Sequence, residues 1–561
     1  MSKEKLFAKG FFNWTFFAVV LAIAILINII SSFISVRVDA TKDKRYSLAE
    51  STINYLEDDE NIKNRLFLKI YLQGNMPAEL QYFRKALEDK LKEFKEYAGT
   101  GIEYEFIDPN QGTESEQQEL FESLYAKGKG LLPMDIVYSK DGELSQLMLW
   151  PGAIMEYEGA TVNTIQFLPG TTPNKPFRLG EMNEIIQNSI NNLEYILMTS
   201  IRRAVEDKKK VIGFLQGHGE LKFQETQRAR ALISPYYALT DVEINGQINA
   251  LDELDGLIIA GPETRFSTRD LYIIDQFVMR GGRLMCFMDP LKVHEDTLMA
   301  TGVTHTTRHT TGLGAMLFDY GLKLNDNLVV DAKCAPMAVP MAKQSVIPWF
   351  YHVLSTPADH PISRNLEPVS LKYASEIQFV NGEGLTQSPI LTSSTNSTRT
   401  GLAPMVSLGM PLNYGNNPKI APDPTDEANK LCLAGLSEGK FQSHFKNRIV
   451  DEYAKNALSS FKESATKEGK VLLVGNGRFI QNAYDSMPAK KGGKMMYKPK
   501  PYNDLRFDYK TQQLGINIFY GNQEFFQNAV DYIMGDNSVL EIRSRQIDIH
   551  QIDKEKVAQD A

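Results

Sequence analysis

The chain has 561 residues, with 61 basic and 69 acidic side chains and a formal net charge of −8. Its 43% hydrophobic and 23% charged content matches folded soluble protein, which excludes wholesale disorder and a polytopic membrane protein; at roughly 150 residues per domain the length predicts about three or four domains. The mild acidity argues against nucleic acid as the main partner, because phosphate contacts need a basic face, and Cys286, Cys334 and Cys432 have no zinc-type or CxxC spacing and build no disulfide framework.

Residues 10–34 carry no charged side chain, and residues 16–30 are almost wholly aliphatic or aromatic. A helix needs about 20 such residues to cross a bilayer. No Ala-x-Ala-like site follows at Ser31, Ser32, Phe33 and Ile34. Residues 11–36 are therefore expected to form an uncleaved transmembrane anchor behind a short tail, 1–10. A buried core helix is the competing reading, but it would show one polar face. Lys3, Lys5 and Lys9 precede the segment and Arg37, Lys42, Lys44 and Arg45 follow it, so charge count leaves the orientation open.

Beyond the anchor, strands and helices alternate. Residues 66–72 (LFLKIYL) alternate as a strand, and Leu80, Phe83, Leu87, Leu91 and Phe94 then mark one apolar helical face. Gly99 and Gly101 end that helix before the strand 102–107 (IEYEFI), completing a β-α-β unit. Further strands are expected at 134–139, 144–149 and 161–167. Ile186, Ile190, Leu193, Leu197, Ile201 and Ala204 predict one long amphipathic helix, and the charged run 206–210 places a boundary after it. The first α/β domain is thus 45–207.

The second domain, 208–535, opens with the apolar run 211–215 (VIGFL), suited to a buried parallel strand. Strand 257–260, a helix around 270–279, the turn Gly281-Gly282 and strand 283–288 follow, ending at Asp289-Pro290. That order predicts a doubly wound α/β sheet. Residues 386–430 are rich in Ser, Thr, Asn, Gly and Pro and read as a loop-rich insertion with a strand or two. The run 471–474 (VLLV) before Gly475-Asn476-Gly477 is a late parallel strand, a helix covers 524–534, and 536–561 is a closing segment.

No Walker A loop occurs, so the chain is not itself a P-loop ATPase. Gly217-His218-Gly219-Glu220 sits at the carboxyl end of a strand, where such sheets bind ligands. Either these residues contact a ligand, with His218 and Glu220 supplying polar groups, or they form a surface turn whose side chains cap backbone. His305 and His309 are four apart, with His294 upstream, but the Thr-rich stretch makes a poor helix and a metal site there is disfavoured. Cys286 falls mid-strand and reads as buried and structural. Five lysines from Lys490 to Lys500 read as a solvated loop, with anionic lipid or a partner as the alternative. No cofactor, metal or catalytic residue is expected.

The stretch 37–48 (RVDATKDKRYSL) resembles the opening of the gliding-motility-associated ABC transporter substrate-binding protein family, GldG. The likeness continues through 71–77, 93–109, 212–220 (IGFLQGHGE), 278–290 (VMRGGRLMCFMDP), 324–331, 360–366 and 439–448, and ends with 520–528 and 541–554. The resemblance implies a non-enzymatic subunit working with a separate ABC ATPase and a separate ABC permease of the inner membrane in Bacteroidetes-type bacteria, its bulk facing the periplasm. It also implies a second domain of the fold shared with an intraflagellar transport component, related to class I glutamine-amidotransferase-like domains. There the catalytic cysteine sits at a sharp strand-to-helix turn, which Cys286 does not match. Family members commonly end in another apolar helix, whereas no apolar run follows Lys554 here. The competing function is a membrane-anchored envelope glycan-binding module or enzyme with a pocket near His218 and Glu220.

Overall fold

The computed structural model describes residues 16, 17, 19–23, 47–126, 130–140, 143–168, 176–179, 182–205, 209–339, 345–380, 382, 384–411, 418–447, 461–487, 495–500, 502–516, 518–536 and 539–543. Of the expected anchor 11–36 only residues 16, 17 and 19–23 are among them; they are helical, with Phe16, Phe17, Val19, Val20, Leu21 and Ile23 exposed. The rest of that segment lies outside the described residues, as does 544–561. Among the described residues no helix is long and apolar enough to cross a membrane.

From residue 50 to 205 the chain forms a small sheet in the order β2-β1-β5-β6, with β1 Leu66–Ile70, β2 Ile102–Phe106, β5 Gly152–Tyr157 and β6 Ala160–Gln166. β1 and β2 run parallel, Leu66 opposite Ile102, joined by the helix Ala78–Ala98. Its five predicted apolar positions are all buried, which is what a 3.6-residue period on one face requires. A second sheet pairs β3 Met134–Lys140 with β4 Glu143–Leu149 and, in parallel, with β7 Phe177–Arg178. The long helix predicted over 186–204 is two helices, Asn183–Asn191 and Leu193–Val205. At Asn192 the side-chain amide donates to the Asn188 carbonyl at 2.7 Å, so a local side-chain bond competes with helix continuation.

The large sheet begins at β8 Val211–Gln216. β9 Ala238–Glu243 and β10 Gly256–Ala260 pair with β8, β11 Arg283–Phe287 pairs with β10, and the strand Gly469–Val474 pairs with β11, all in parallel. Side chains alternate between two cores. Phe214, Ile258, Met285, Phe287 and Leu472 join one with helices Gln227–Ile233 and Asn522–Met534. Leu215, Leu257, Ile259, Cys286 and Leu473 join the other with helix Thr268–Met279. Burial on both faces explains why these strands read as continuous apolar runs.

Helices cover both faces of this sheet, as a doubly wound α/β layer requires, and the sheet is mixed rather than wholly parallel. Cys432–Gly439 runs antiparallel beside Gly469–Val474, and Leu385–Thr392 runs antiparallel beside Cys432–Gly439, making ten strands among the described residues. The stretch 386–430 therefore carries more strand than its composition suggested: Ser397–Arg399 pairs with Val329–Asp331, and Met405–Ser407 with Val303–His305. The lysine-rich segment is also not all loop, because Met496–Pro499 pairs with Tyr484–Met487 as a hairpin.

A buried ionic network links the helix Leu193–Val205 to the helix Asn522–Met534, which packs on the large sheet. Arg543 contacts Asp531 at 3.0 Å, the Tyr195 hydroxyl at 3.1 Å and Asn528. Tyr237 donates to Asp531 at 3.0 Å and to Asp536 at 2.6 Å, and Arg202 pairs with Asp536 at 2.7 Å. Burial raises the Asp531 carboxyl, with Arg543 opposing that shift. Removing one partner leaves the other buried and uncompensated. Arg543→Ala is therefore predicted to lower stability by about 3–5 kcal/mol, read from urea unfolding; a loss under about 1 kcal/mol, the size of a surface pair, would show the network to be dispensable.

Candidate functional site

Five parallel strands point their carboxyl ends the same way, and the loops leaving β8, β10, β11 and Gly469–Val474 meet there. Gly219 (φ +82°) lets the first loop approach the second: a Cβ at that position would lie 3.1 Å from the Glu263 Cβ. Gly477 does the same for the last loop, where a Cβ would strike the Asp289 carboxylate at 2.8 Å. In place of that clash, the Gly477 N–H donates to Asp289 at 2.7 Å.

Around these loops opens a cleft of about 640 Å³. Its lining includes Glu220, Glu263, Asp289, Lys292, His309 and Arg478, together with Asn482, Tyr484, Phe507, Asp508, Tyr509 and Asn522. Size and position fit a ligand site at the carboxyl edge of an open α/β sheet. Among the predicted site residues, Gly219 and Glu220 line this cleft and Gly217 and His218 do not.

His218 is not the surface residue that the turn reading implied. It is only 8% exposed and stacks on Phe266 with ring centres 3.8 Å apart. Its Nδ1 lies 3.3 Å from Glu220 and its Nε2 3.4 Å from Asp270, while Glu220 accepts from the His218 backbone N–H at 2.6 Å. Asp270 is itself held by the Ser267 hydroxyl at 2.7 Å and the Gly246 N–H at 2.9 Å. The His218 carbonyl accepts from Glu263 and Thr264, both at 2.9 Å. The motif thus works as a buried staple between β8, β10 and helix Thr268–Met279, and only its Gly219–Glu220 end reaches the cleft. Two glycines with a histidine between them do not distinguish a solvent turn from a turn folded inward, which is why the sequence missed it.

Electrostatics divide the cleft's carboxyls. Burial pushes Asp289 up to about 6, against the Gly477 and Asn476 hydrogen bonds. Burial would also raise Glu263, but Lys292 at 2.8 Å, with His309 and Arg478 beyond it, holds it below the usual carboxylate range. His309 is pushed down by burial and by the same Lys292 and Arg478. Burial opposes charge on His218 too, yet Glu220 and Asp270 outweigh it and raise its pKa. Cys286 lies buried in β11 with its thiol pushed up by burial, so it presents no thiolate. His305 ends the strand Val303–His305 and His309 follows Thr307–Arg308, so their four-residue spacing is not a helix face. Among the described residues no group of three or more His, Cys, Asp or Glu side chains is placed to hold a metal. Glu263, Lys292 and Arg478 escaped the sequence reading. The signal that finds them is position: each lies within a few residues of a parallel strand's carboxyl end, next to the Asp289-Pro290 and Gly475-Asn476-Gly477 turns.

The family model described as "ABC-type uncharacterized transport system" matches residues 209–510, more than half of the chain, and a domain of unknown function matches 42–156. An uncharacterized protein of Borreliella burgdorferi is 21% identical over 466 residues, covering 81% of this chain and 80% of that one. The solved mmIFT52 N-terminal domain is 11% identical over 48% of this chain and 88% of its own, with a TM-score of 0.29, too low to say more about the fold.

Two outcomes follow from the staple. Since the folded-state pKa of His218 is raised, its ionic contribution is full below pH 6.5 and is lost as pH rises through the folded-state value. The stability difference between wild type and His218→Gln should therefore shrink above pH 6.5 in thermal unfolding, and a pH-independent difference would show that the ring acts by packing alone. At the glycines, both positive φ values penalise a side chain by about 1–2 kcal/mol, but only Gly219 also meets a neighbour. Gly219→Ala should lower the melting temperature more than Gly217→Ala, whose Cβ finds nothing within 4 Å; the reverse order would refute the close-approach account.

Proposed function

The chain belongs to the family of auxiliary components of ABC-type uncharacterized transport systems, and from that premise we propose that it is the membrane-anchored, substrate-binding-like subunit of a gliding-motility transporter of the GldG kind. In this reading the chain is non-catalytic. A separate ABC ATPase supplies hydrolysis and a separate polytopic permease forms the path across the inner membrane. Residues 11–36 anchor the chain, and the two α/β parts stand in the periplasm.

The family match over 209–510 carries the proposal. The arrangement of the cleft supports a binding role. Two of its acids serve the protein itself, with Asp289 clamping the Gly477 turn and Glu263 neutralising Lys292 and Arg478. The segments that resemble GldG proteins run from residue 37 to residue 554 in one order, which supports the finer assignment.

Purification of the full-length tagged chain from membranes in mild detergent should recover a P-loop ATPase together with a polytopic permease. Recovery of the chain without either would overturn the transporter reading.

A further inference from the structure

We propose that the cleft at the carboxyl edge of the large sheet binds a neutral, hydroxyl-rich ligand, an oligosaccharide, with Tyr509 as its stacking platform. This goes beyond the transporter reading and does not depend on it.

Charge excludes one class of ligand. The cleft's lining holds seven carboxylates against three lysines and one arginine, so a phosphate or other polyanion meets a net negative field. Part of that field is offset locally: Glu263 pairs with Lys292 at 2.8 Å and Arg478 at 3.5 Å, and Asp508 with Lys372 at 3.0 Å. Other acids of the lining act as oriented acceptors. Glu225 shows the pattern, accepting from the Lys222 N–H and the Gln481 amide, both at 2.9 Å. A carboxylate offers about four lone-pair sites, so such groups retain capacity for hydroxyl donors.

Two features point to the ligand itself. His309 lines the cleft with its Nδ1 buried and, among the described residues, without a hydrogen-bond partner. An unpaired buried nitrogen is costly, and a shift of the ring would let a ligand hydroxyl satisfy it. Tyr509, also in the lining, stacks on Tyr502 at 3.9 Å with the rings 8° from parallel, yet remains 36% exposed. One ring face is thereby fixed and covered, and the exposed remainder presents a rigid apolar surface at the cleft, suited to the C–H face of a sugar ring. Tyr484 and Phe507 also line the cleft. Apolar rings and polar groups lining one cleft of this volume fit a ligand that is apolar on its ring faces and polar around its edge.

The test is saturation-transfer NMR with calorimetric titration of the full-length chain in a sugar-free zwitterionic detergent, using maltotetraose, cellotetraose and chitotetraose, with tetralysine and inorganic phosphate as comparators. At least one tetrasaccharide should bind saturably. Tyr509→Ala should weaken it about tenfold, the scale of one aromatic contact. Tyr509→Phe, which keeps the ring, should retain it, and Tyr125→Ala, which removes an exposed tyrosine of the first α/β part, should leave it unchanged. Absence of saturable binding by all three sugars overturns the proposal. So does binding indifferent to Tyr509→Ala in a variant with wild-type circular dichroism, or Tyr509-dependent binding of tetralysine or phosphate in place of sugar.

Discussion

Parallel pairing imposes a polarity on this molecule from which most of its architecture follows. Once β8, β10, β11 and Gly469–Val474 run the same way, every chain exit from them lies on one edge, and each must turn within a few residues to reach a helix or another strand. Four turns crowd together, and two of them approach through glycines. Crowding of backbone at one edge also concentrates unpaired N–H groups, which is why a buried carboxylate such as Asp289 is tolerated there.

Carboxylates serve repeatedly as internal fasteners elsewhere. Asp275, fully buried, accepts from the Tyr320 hydroxyl and the His444 N–H, both at 2.8 Å, and from the Ser443 hydroxyl at 2.7 Å, tying helix Thr268–Met279 to two distant segments. Asp331 accepts from the Lys333 N–H at 2.8 Å and from Ser394 through its N–H at 2.6 Å and its hydroxyl. Each binds segments far apart in sequence to irregular backbone that has no ladder partner, so the acids satisfy donors that would otherwise be orphaned.

Legibility in the sequence tracked the range of the interaction. The helix Ala78–Ala98 and the strands flanking it were readable because their burial follows a local period, and β8, β10 and β11 because both of their faces are buried. The antiparallel wing was not, since Leu385–Thr392 contains Pro389 and polar residues, and its place depends on Cys432–Gly439 some 40 residues later. The break at Asn192 turns on a single side-chain bond that hydrophobic spacing does not record. At the site, Gly217–Glu220 announced a special turn but not its direction, because burial of His218 depends on Phe266 and Asp270, which lie 48 and 52 residues further on. The cleft-lining aromatics Tyr484, Phe507 and Tyr509 come from the last fifth of the chain and carry no motif at all.

Arg543 gives the molecule a mechanical property. Its guanidinium holds Asp531 and Asn528 in the helix Asn522–Met534 and, at the same time, the hydroxyl of Tyr195 in the helix Leu193–Val205. Tension applied to the chain at this residue divides between the two α/β parts rather than peeling away the final helix turn by turn. The load reaches both halves through the hydrogen bonds of a single guanidinium.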